Sequence, residues 1–253
     1  MKKNRLIGIV VLLTLNLVAL FVNAQPFDFS PDRPGVSTGS SVLFKGVFQL
    51  ETGTYYQTDK ATSTETWSLN TTLVRYGVVE HVELRIGSDL IRCRINNEVL
   101  TGFIPFTLGT KIALFNGQNA IPKTSLLVNF TLPHAGKKEF SAPNIAPSLY
   151  LLMNNDLTMN WSLGYNLGLE FDGATPVPAE FAAICLSYHV TPALSTYFEN
   201  YNYFSAGSKA QSFVDFGAAF LLNEKMQFDI SFDTDPVRLS SIYSVNAGFS
   251  VQF

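Results

Sequence analysis

The sequence predicts an all-β protein, a transmembrane up-and-down antiparallel β-barrel of about 12 strands, and three observations carry that prediction. Tract after tract alternates apolar residues with small or polar ones at period 2, the mark of a strand with two unlike faces. The chain is 47% hydrophobic and only 15% charged, yet nothing after Val22 is a long enough apolar run for a membrane helix. A barrel accommodates this composition, because its lipid face is spread over alternate positions. Finally, the connections between tracts alternate short and long, as they do when turns lie on one side of a membrane and loops on the other.

The N-terminus stands apart from the barrel. Lys2, Lys3 and Arg5 precede an apolar run, Leu6 to Val22, broken only by Gly8, Thr14 and Asn16, and Val22-Asn23-Ala24 offers a small-residue cleavage site. This is the layout of a cleaved secretory signal peptide, residues 1–24, and it is set aside from fold reasoning. Residue 25 is Gln, so lipoprotein processing at a cysteine is not indicated. Residues 25–41 are rich in Pro, Ser, Gly and Asp and predict an irregular periplasmic segment. Residues 42–253 then form the barrel.

The strand tracts fall at residues 42–57, 64–77, 80–92, 102–115, 123–133, 145–154, 157–171, 179–190, 193–204, 212–222, 225–233 and 242–253. Tract 64–77 does not reveal which face Arg75 occupies. In tract 123–133, Leu126, Val128, Phe130 and Leu132 oppose Ser125, Asn129 and Thr131, with Leu127 the exception. Tract 157–171 places Leu157, Met159, Trp161, Leu163, Tyr165, Leu167, Leu169 and Phe171 on one face. Tract 225–233 sets Met226, Phe228, Ile230 and Phe232 against Gln227, Asp229 and Ser231. Tract 242–253 alternates Tyr243, Val245, Ala247, Phe249, Val251 and Phe253 with Ser244, Asn246, Gly248, Ser250 and Gln252.

Taken alone, that last tract is equally a half-buried strand of a soluble sheet. Ending on Phe253, it also resembles the closing strand by which Gram-negative bacteria recognise outer-membrane barrels. Tyr243, Phe249, Val251 and Phe253 are then the assembly-signal candidates, and the barrel-assembly machinery and outer-membrane lipid are the implied partners.

The short connections are Glu80-His81, Asn154-Asn155-Asp156, Val190-Thr191-Pro192 and Asn223-Glu224-Lys225. Longer links lie near residues 58–63, 93–101, 134–144, 172–178, 205–211 and 234–241. Residues 116–122 fit poorly, being a longer link in a short-turn slot. Aromatic residues gather at tract ends, among them Tyr56, Trp67, Tyr76, Phe103, Tyr188 and Phe220, which suits two interfacial girdles. An even strand count returns both ends of the barrel to one side.

With the apolar face toward lipid, the opposite face collects Lys45, Glu51, Glu83, Arg85, Lys111, Glu170, Glu199, Asp215 and Asp229, together with Gln49 and Gln227. Charges in a confined lumen are costly unless paired or hydrated. They form a bracing network of ion pairs, or a solute path whose wall charge sets selectivity; the two are compatible. Six carboxylates against three cations weakly favour cations.

Asp32-Arg33-Pro34-Gly35, the Gly46–Gly53 run, Arg75-Tyr76-Gly77, Glu83–Gly87 and Leu108–Lys111 follow one another in order. Glu199, Val214–Gly217, Gln227–Asp229 and Asn246–Phe249 continue the series. Together they resemble the outer-membrane proteins grouped as "putative meta-pathway of phenol degradation", over almost the whole mature chain. The resemblance implies an outer-membrane barrel that moves small molecules, hydrophobic or aromatic compounds among them, and it assigns no catalytic residue. It also sharpens one expectation. Asp32 and Arg33, stiffened by Pro31 and Pro34, fold back into the periplasmic mouth as a plug and pair with lumen charges such as Glu51, Glu83 and Arg85. The alternative is a solvated tether.

Other classes fit less well. A Ser nucleophile needs a His base in reach, and His81, His134 and His189 have no evident Ser partner, so no enzyme is expected. A non-transporting structural or ligand-binding, adhesive barrel is the strongest alternative, a lipid-modifying barrel enzyme a weaker one, and a secreted soluble sandwich or lipocalin-like barrel the weakest. No paired-ligand spacing points to a metal, no cofactor is implied, and no basic stripe suits nucleic acid. Cys93 and Cys185 alone do not make a disulfide scaffold.

Overall fold

The computed structural model describes residues 29–96, 98–118 and 120–253. The expected signal peptide therefore lies outside the described residues, as do residues 25–28. Thirteen strands follow one another: β1 (Phe48–Asp59), β2 (Thr64–Val79), β3 (Val82–Ile95), β4 (Glu98–Phe103), β5 (Thr107–Gln118), β6 (Ile121–Thr131), β7 (Ala146–Asp156), β8 (Trp161–Glu170), β9 (Ala179–His189), β10 (Leu194–Phe204), β11 (Gln211–Asn223), β12 (Met226–Thr234) and β13 (Ile242–Gln252). Each pairs antiparallel with its neighbours, and β1 pairs with β13, so the sheet closes on itself.

Twelve staves result from thirteen strands, because β4 and β5 share one. β4 pairs with the far half of β3, from Leu90 to Ile95, and β5 with its near half, from Val82 to Gly87. The break between them is Ile104-Pro105-Phe106. Pro105 has no N–H to give the ladder, and Ile104 spans the gap by donating to the Asp89 carbonyl at 2.9 Å and accepting from Ser88 Oγ at 2.8 Å.

Period 2 sorts the side chains as a barrel in lipid requires. Outward-facing Phe216, Phe228 and Ile230 are each at least half exposed, while inward-facing Gln49, Glu83, Lys111 and Glu199 are fully buried. The apolar exterior ends in aromatic clusters at both rims. Tyr56 packs on Trp67 near the long loops, with ring centroids 4.3 Å apart, and Trp161 packs on Tyr188 near the short turns at 4.5 Å. At the closure, Phe253 N–H donates to the Phe48 carbonyl at 2.8 Å and their rings lie 5.9 Å apart. The lumen-facing set of β13 is Ser244, Asn246, Gly248, Ser250 and Gln252.

Several expected boundaries are corrected. The first strand begins at Phe48, not at residue 42, because Gly46 takes φ of +84° and turns the chain sharply out of the lumen. Lys45 therefore sits exposed in that turn and is not a lumen residue. The loop expected at 93–101 is a tight hairpin from Ile95 to Glu98, and the awkward link at 116–122 is another, with Gln118 opposite Ile121. Leu157 and Met159 leave the seventh stave, β8, for a turn, where Thr158 Oγ1 accepts from the N–H groups of Asn160 and Trp161. Met159 consequently stands 98% exposed.

The outward phase of β12 is directly testable. Ile230→Lys places a charge on the lipid face near the middle of its strand, and should destabilise the protein refolded in liposomes by about 2–4 kcal/mol. Urea titration of Ile230→Lys beside Ile230→Leu measures this; equal midpoints would refute the assigned face.

Candidate functional site

The lumen is filled by the protein's own N-terminal segment. Residues 29–47 carry no strand and run inside the barrel before the Gly46 turn. The wall they meet is not neutral. β2, β3 and β5 present Arg75, Arg85 and Lys111, while β1 and β3 present Glu51 and Glu83. Arg75 is the centre of this cluster: its Nε and Nη2 grip the two oxygens of Glu83 at 2.9 Å each, and its Nη1 reaches Glu51 Oε1 at 2.9 Å. Such paired, planar contacts suit arginine.

That wall holds three cations against two carboxylates, and Asp32 supplies the third. Its carboxylate meets Lys111 Nζ at 3.0 Å, Arg85 Nη1 at 2.5 Å and Arg75 Nη1 at 3.5 Å. Burial by itself would raise the Asp32 carboxyl, but the charges of Arg75, Lys111 and Arg85 outweigh it and hold the group well below the usual carboxylate range. Glu51 fastens the backbone at the same place, accepting from the N–H groups of Asp32 at 3.1 Å and Arg33 at 3.2 Å.

Arg33 points to a different part of the wall. Its Nη2 meets Asp229 Oδ1 on β12 at 3.0 Å. The guanidinium passes through a dent where Gly53 and Gly248 face each other across β1 and β13. A Cβ on Gly248 would lie 2.1 Å from Arg33 Nε, and one on Gly53 would lie 2.8 Å from Nη2. Only glycine leaves this passage open.

Further along, neutral and charged groups clamp the backbone of the segment. Glu199 on β10 accepts from Val36 and Ser37 N–H at 3.1 and 2.7 Å. Asn166 on β8 binds both the N–H of Thr38, at 2.7 Å, and its carbonyl, at 3.1 Å. Ser125 Oγ donates to the Ser40 carbonyl at 2.6 Å, and Lys111 Nζ to those of Gly39 and Ser41 at 2.9 and 3.1 Å. Glu83 accepts from Leu43 N–H at 2.9 Å.

Of the residues singled out from sequence, Asp32, Arg33, Glu51, Glu83, Arg85, Lys111, Glu199 and Asp229 therefore meet in one network, with Gln49 donating to Glu51 at 2.8 Å. Gln227 donates to the Arg33 carbonyl at 3.4 Å. Asp215 faces the lumen apart from the segment: one oxygen accepts from Tyr197 Oη at 2.8 Å, and the other meets no donor among the described residues. Glu170 lies near the loop end of β8, where it accepts from Tyr150 Oη at 2.7 Å. Around that end, Phe181, Tyr201 and Ala183 pack with Tyr150, Tyr203 and Phe213 into an inward-facing aromatic cluster. Cys93 and Cys185 are free thiols.

Sequence reading missed Arg75, Asn166 and the glycine dent. Arg75 was hidden by a β-bulge: Ser68 pairs with Ile91 and Asn70 with Leu90, leaving Leu69 as an extra residue that reverses the alternation of β2. A hydrophobic outlier in that tract, Leu69 next to Asn70, was the available signal.

A closed twelve-stave barrel with an apolar exterior, aromatic rims and a charged lumen defines the class of transmembrane barrels that includes outer-membrane channels and porins. Within that class, residues 31–235 match the family described as "Putative MetA-pathway of phenol degradation", and the chain belongs to it. No curated protein sequence matches the chain. Among solved structures it is similar to the COG4313 outer membrane channel from Pseudomonas putida F1, with a TM-score of 0.67 and 12% identity over 87% of this chain and 99% of that one. It is also similar to the KdgM porin, with a TM-score of 0.55 and 9% identity over 81% and 99% of the two chains. The NanC porin gives 0.54 and 11% over 80% and 98%. At these identities the likeness concerns the fold.

Two outcomes follow from the charge cluster. Arg75→Met leaves Glu51 and Glu83 without their main partner in a buried setting, and should cost about 3–5 kcal/mol in refolding experiments. The second concerns pH. A carboxyl held below its unfolded value of about 3.9 contributes stability that is full above that value and is lost as pH falls. The Asp32 anchor should thus hold from neutral pH to about 5 and weaken in stronger acid. Single-channel conductance across this range reads the anchor, and adding Asp32→Asn should flatten the acid limb.

Proposed function

We propose that this protein is an outer-membrane channel for small molecules, exported by a cleaved signal peptide, whose N-terminal segment closes the lumen. The observation that carries the reading is Asp32 seated among Arg75, Arg85 and Lys111 inside the barrel. A merely structural barrel of this width can fill its lumen with wall side chains. Here one patch of the wall instead bears a surplus positive charge that Asp32 of the segment neutralises. The short-turn rim, which the segment enters, is the periplasmic one, so the plug is operated from that side.

In this reading Glu51, Glu83, Arg85, Lys111, Glu199 and Asp229 are plug receptors first, and their charge is largely spent on holding it. Solute selectivity then rests on what remains. The aromatic cluster of Phe181, Tyr150, Tyr201, Tyr203 and Phe213 lines the loop-side vestibule, which supports passage of hydrophobic or aromatic compounds over ions. No residue is given a catalytic role. Phe253, with Tyr243, Phe249 and Val251, acts as the signal for the assembly machinery.

Removing residues 25–36 should raise single-channel conductance in planar bilayers, and Asp32→Lys should do so too by repelling the three wall cations. Unchanged conductance in both variants would sink the plug. Uptake by cells lacking the gene, compared for an aromatic and a hydrophilic solute, tests cargo: equal uptake by mutant and parent for both would count against transport.

A further inference from the structure

The plug is not held evenly around the barrel. Its anchors come from β1, β2, β3, β5, β6, β8, β10 and β12. The ion pairs are concentrated on β2, β3, β5 and β12. Among the described residues, β7 and β9 contribute no ion pair to it. On that side a cavity of about 150 Å³ lies between residues 31–39 and the wall. Its wall side is formed by Met153, Asn154, Gly164, Cys185, Ser187 and Tyr197, none of which is charged at neutral pH, and its plug side includes Asp32 and Arg33, whose charges are paired to other staves. These positions lie near the short-turn ends of β7, β8, β9 and β10, so the cavity faces the rim that the plug enters.

The loop-side aromatic cluster stands on nearly the same staves, since Tyr150 belongs to β7, Phe181 to β9, Tyr201 and Tyr203 to β10 and Phe213 to β11. Residues 36–38 of the plug border this side: Ser37 and Thr38 line the cavity, and Glu199, on the same strand as Tyr201, holds Val36 and Ser37. Their backbone is held by four hydrogen bonds to Glu199 and Asn166. The geometry points to a solute track along this side of the lumen. A neutral molecule leaves the aromatic vestibule, passes residues 36–38 when their clamps release, and descends between plug and wall, while Asp32 and Arg33 stay anchored. This inference rests on the channel reading given above and names its path and solute class.

Size follows from volume. A cavity of about 150 Å³ accommodates a single benzene-sized ring, and this one is uncharged on its wall side. The track therefore takes neutral solutes up to about one six-membered ring. A charged solute would have to shed its hydration with no fixed partner on the wall, and two fused rings exceed the space.

Gly164 gives direct access to the test. A Cβ there would meet Asn154 Oδ1 at 3.7 Å and Cys185 Cβ at 3.9 Å, ordinary contacts, so larger side chains grow into the cavity without straining the wall. The series Gly164→Ala, Gly164→Leu and Gly164→Phe is assayed by liposome swelling with neutral solutes of increasing size, after heat-modifiable migration confirms a folded barrel. Permeation should fall stepwise and several-fold by the largest variant, while Asn166→Ala, which frees Thr38, should raise it. Ser187→Leu provides a second obstruction from β9 should Gly164→Phe not fold. If the parent protein passes neutral solutes and neither obstruction slows them, the track is wrong and the channel reading stands. If neither the parent nor the protein lacking residues 25–36 passes any solute, the channel reading fails and the track with it.

Discussion

The structure depends on one arrangement of charge: a wall carrying three buried cations and two carboxylates, completed by an aspartate from a segment outside the barrel sheet. Arg75, Arg85 and Lys111 are removed from water on β2, β3 and β5, and Glu51 and Glu83 balance all but one of them. Buried ions are tolerated only when every one has partners. Asp32 is the missing partner, and it brings with it the backbone groups that Glu51, Glu83 and Lys111 bind. Remove the segment and the barrel keeps its sheet but is left with an uncompensated charge in a narrow, weakly polarisable space.

The neighbouring residue does the reverse. Arg33 carries the opposite sign to the opposite partner, Asp229, so two consecutive residues address two different regions of the wall. The segment thereby has a defined rotation as well as a defined depth. Glycine makes this possible at one level of the barrel, where Gly53 and Gly248 are register partners and together leave the width of a guanidinium. Beyond this point the fastening changes character. Asn166 binds the backbone of Thr38, and Glu199 holds chiefly the backbone of Val36 and Ser37, in the manner of a neighbouring strand.

Much of this was legible in the sequence, because strands with unlike faces write their phase directly into alternate residues. The inward set of β12 and β13 follows from Gln227, Asp229, Ser244 and Gly248 with no structural help. Asp32 and Arg33 stood out as a charged pair between prolines. What escaped detection had physical causes. A single inserted residue at Leu69 reversed the alternation of β2 and concealed Arg75, the most connected side chain of the lumen. Lys45 followed the alternation of the next strand on paper, but Gly46 had already turned the backbone. Pro105 broke one stave into two strands. Asn166, polar and unremarkable among many asparagines, gains its role only from the backbone that happens to lie opposite.

The segment's path has a mechanical meaning as well. A barrel made from a single chain has one seam where its first and last strands meet, here β1 and β13. Glu51 stands on one side of that seam, on β1, and Asp229 stands on the other, on β12, with β13 between them. Asp32 and Arg33 bind both at once. The same residues that obstruct the lumen therefore act as a suture across the closure, so that a barrel with its plug withdrawn is also a barrel whose closing seam has lost its inner stitch.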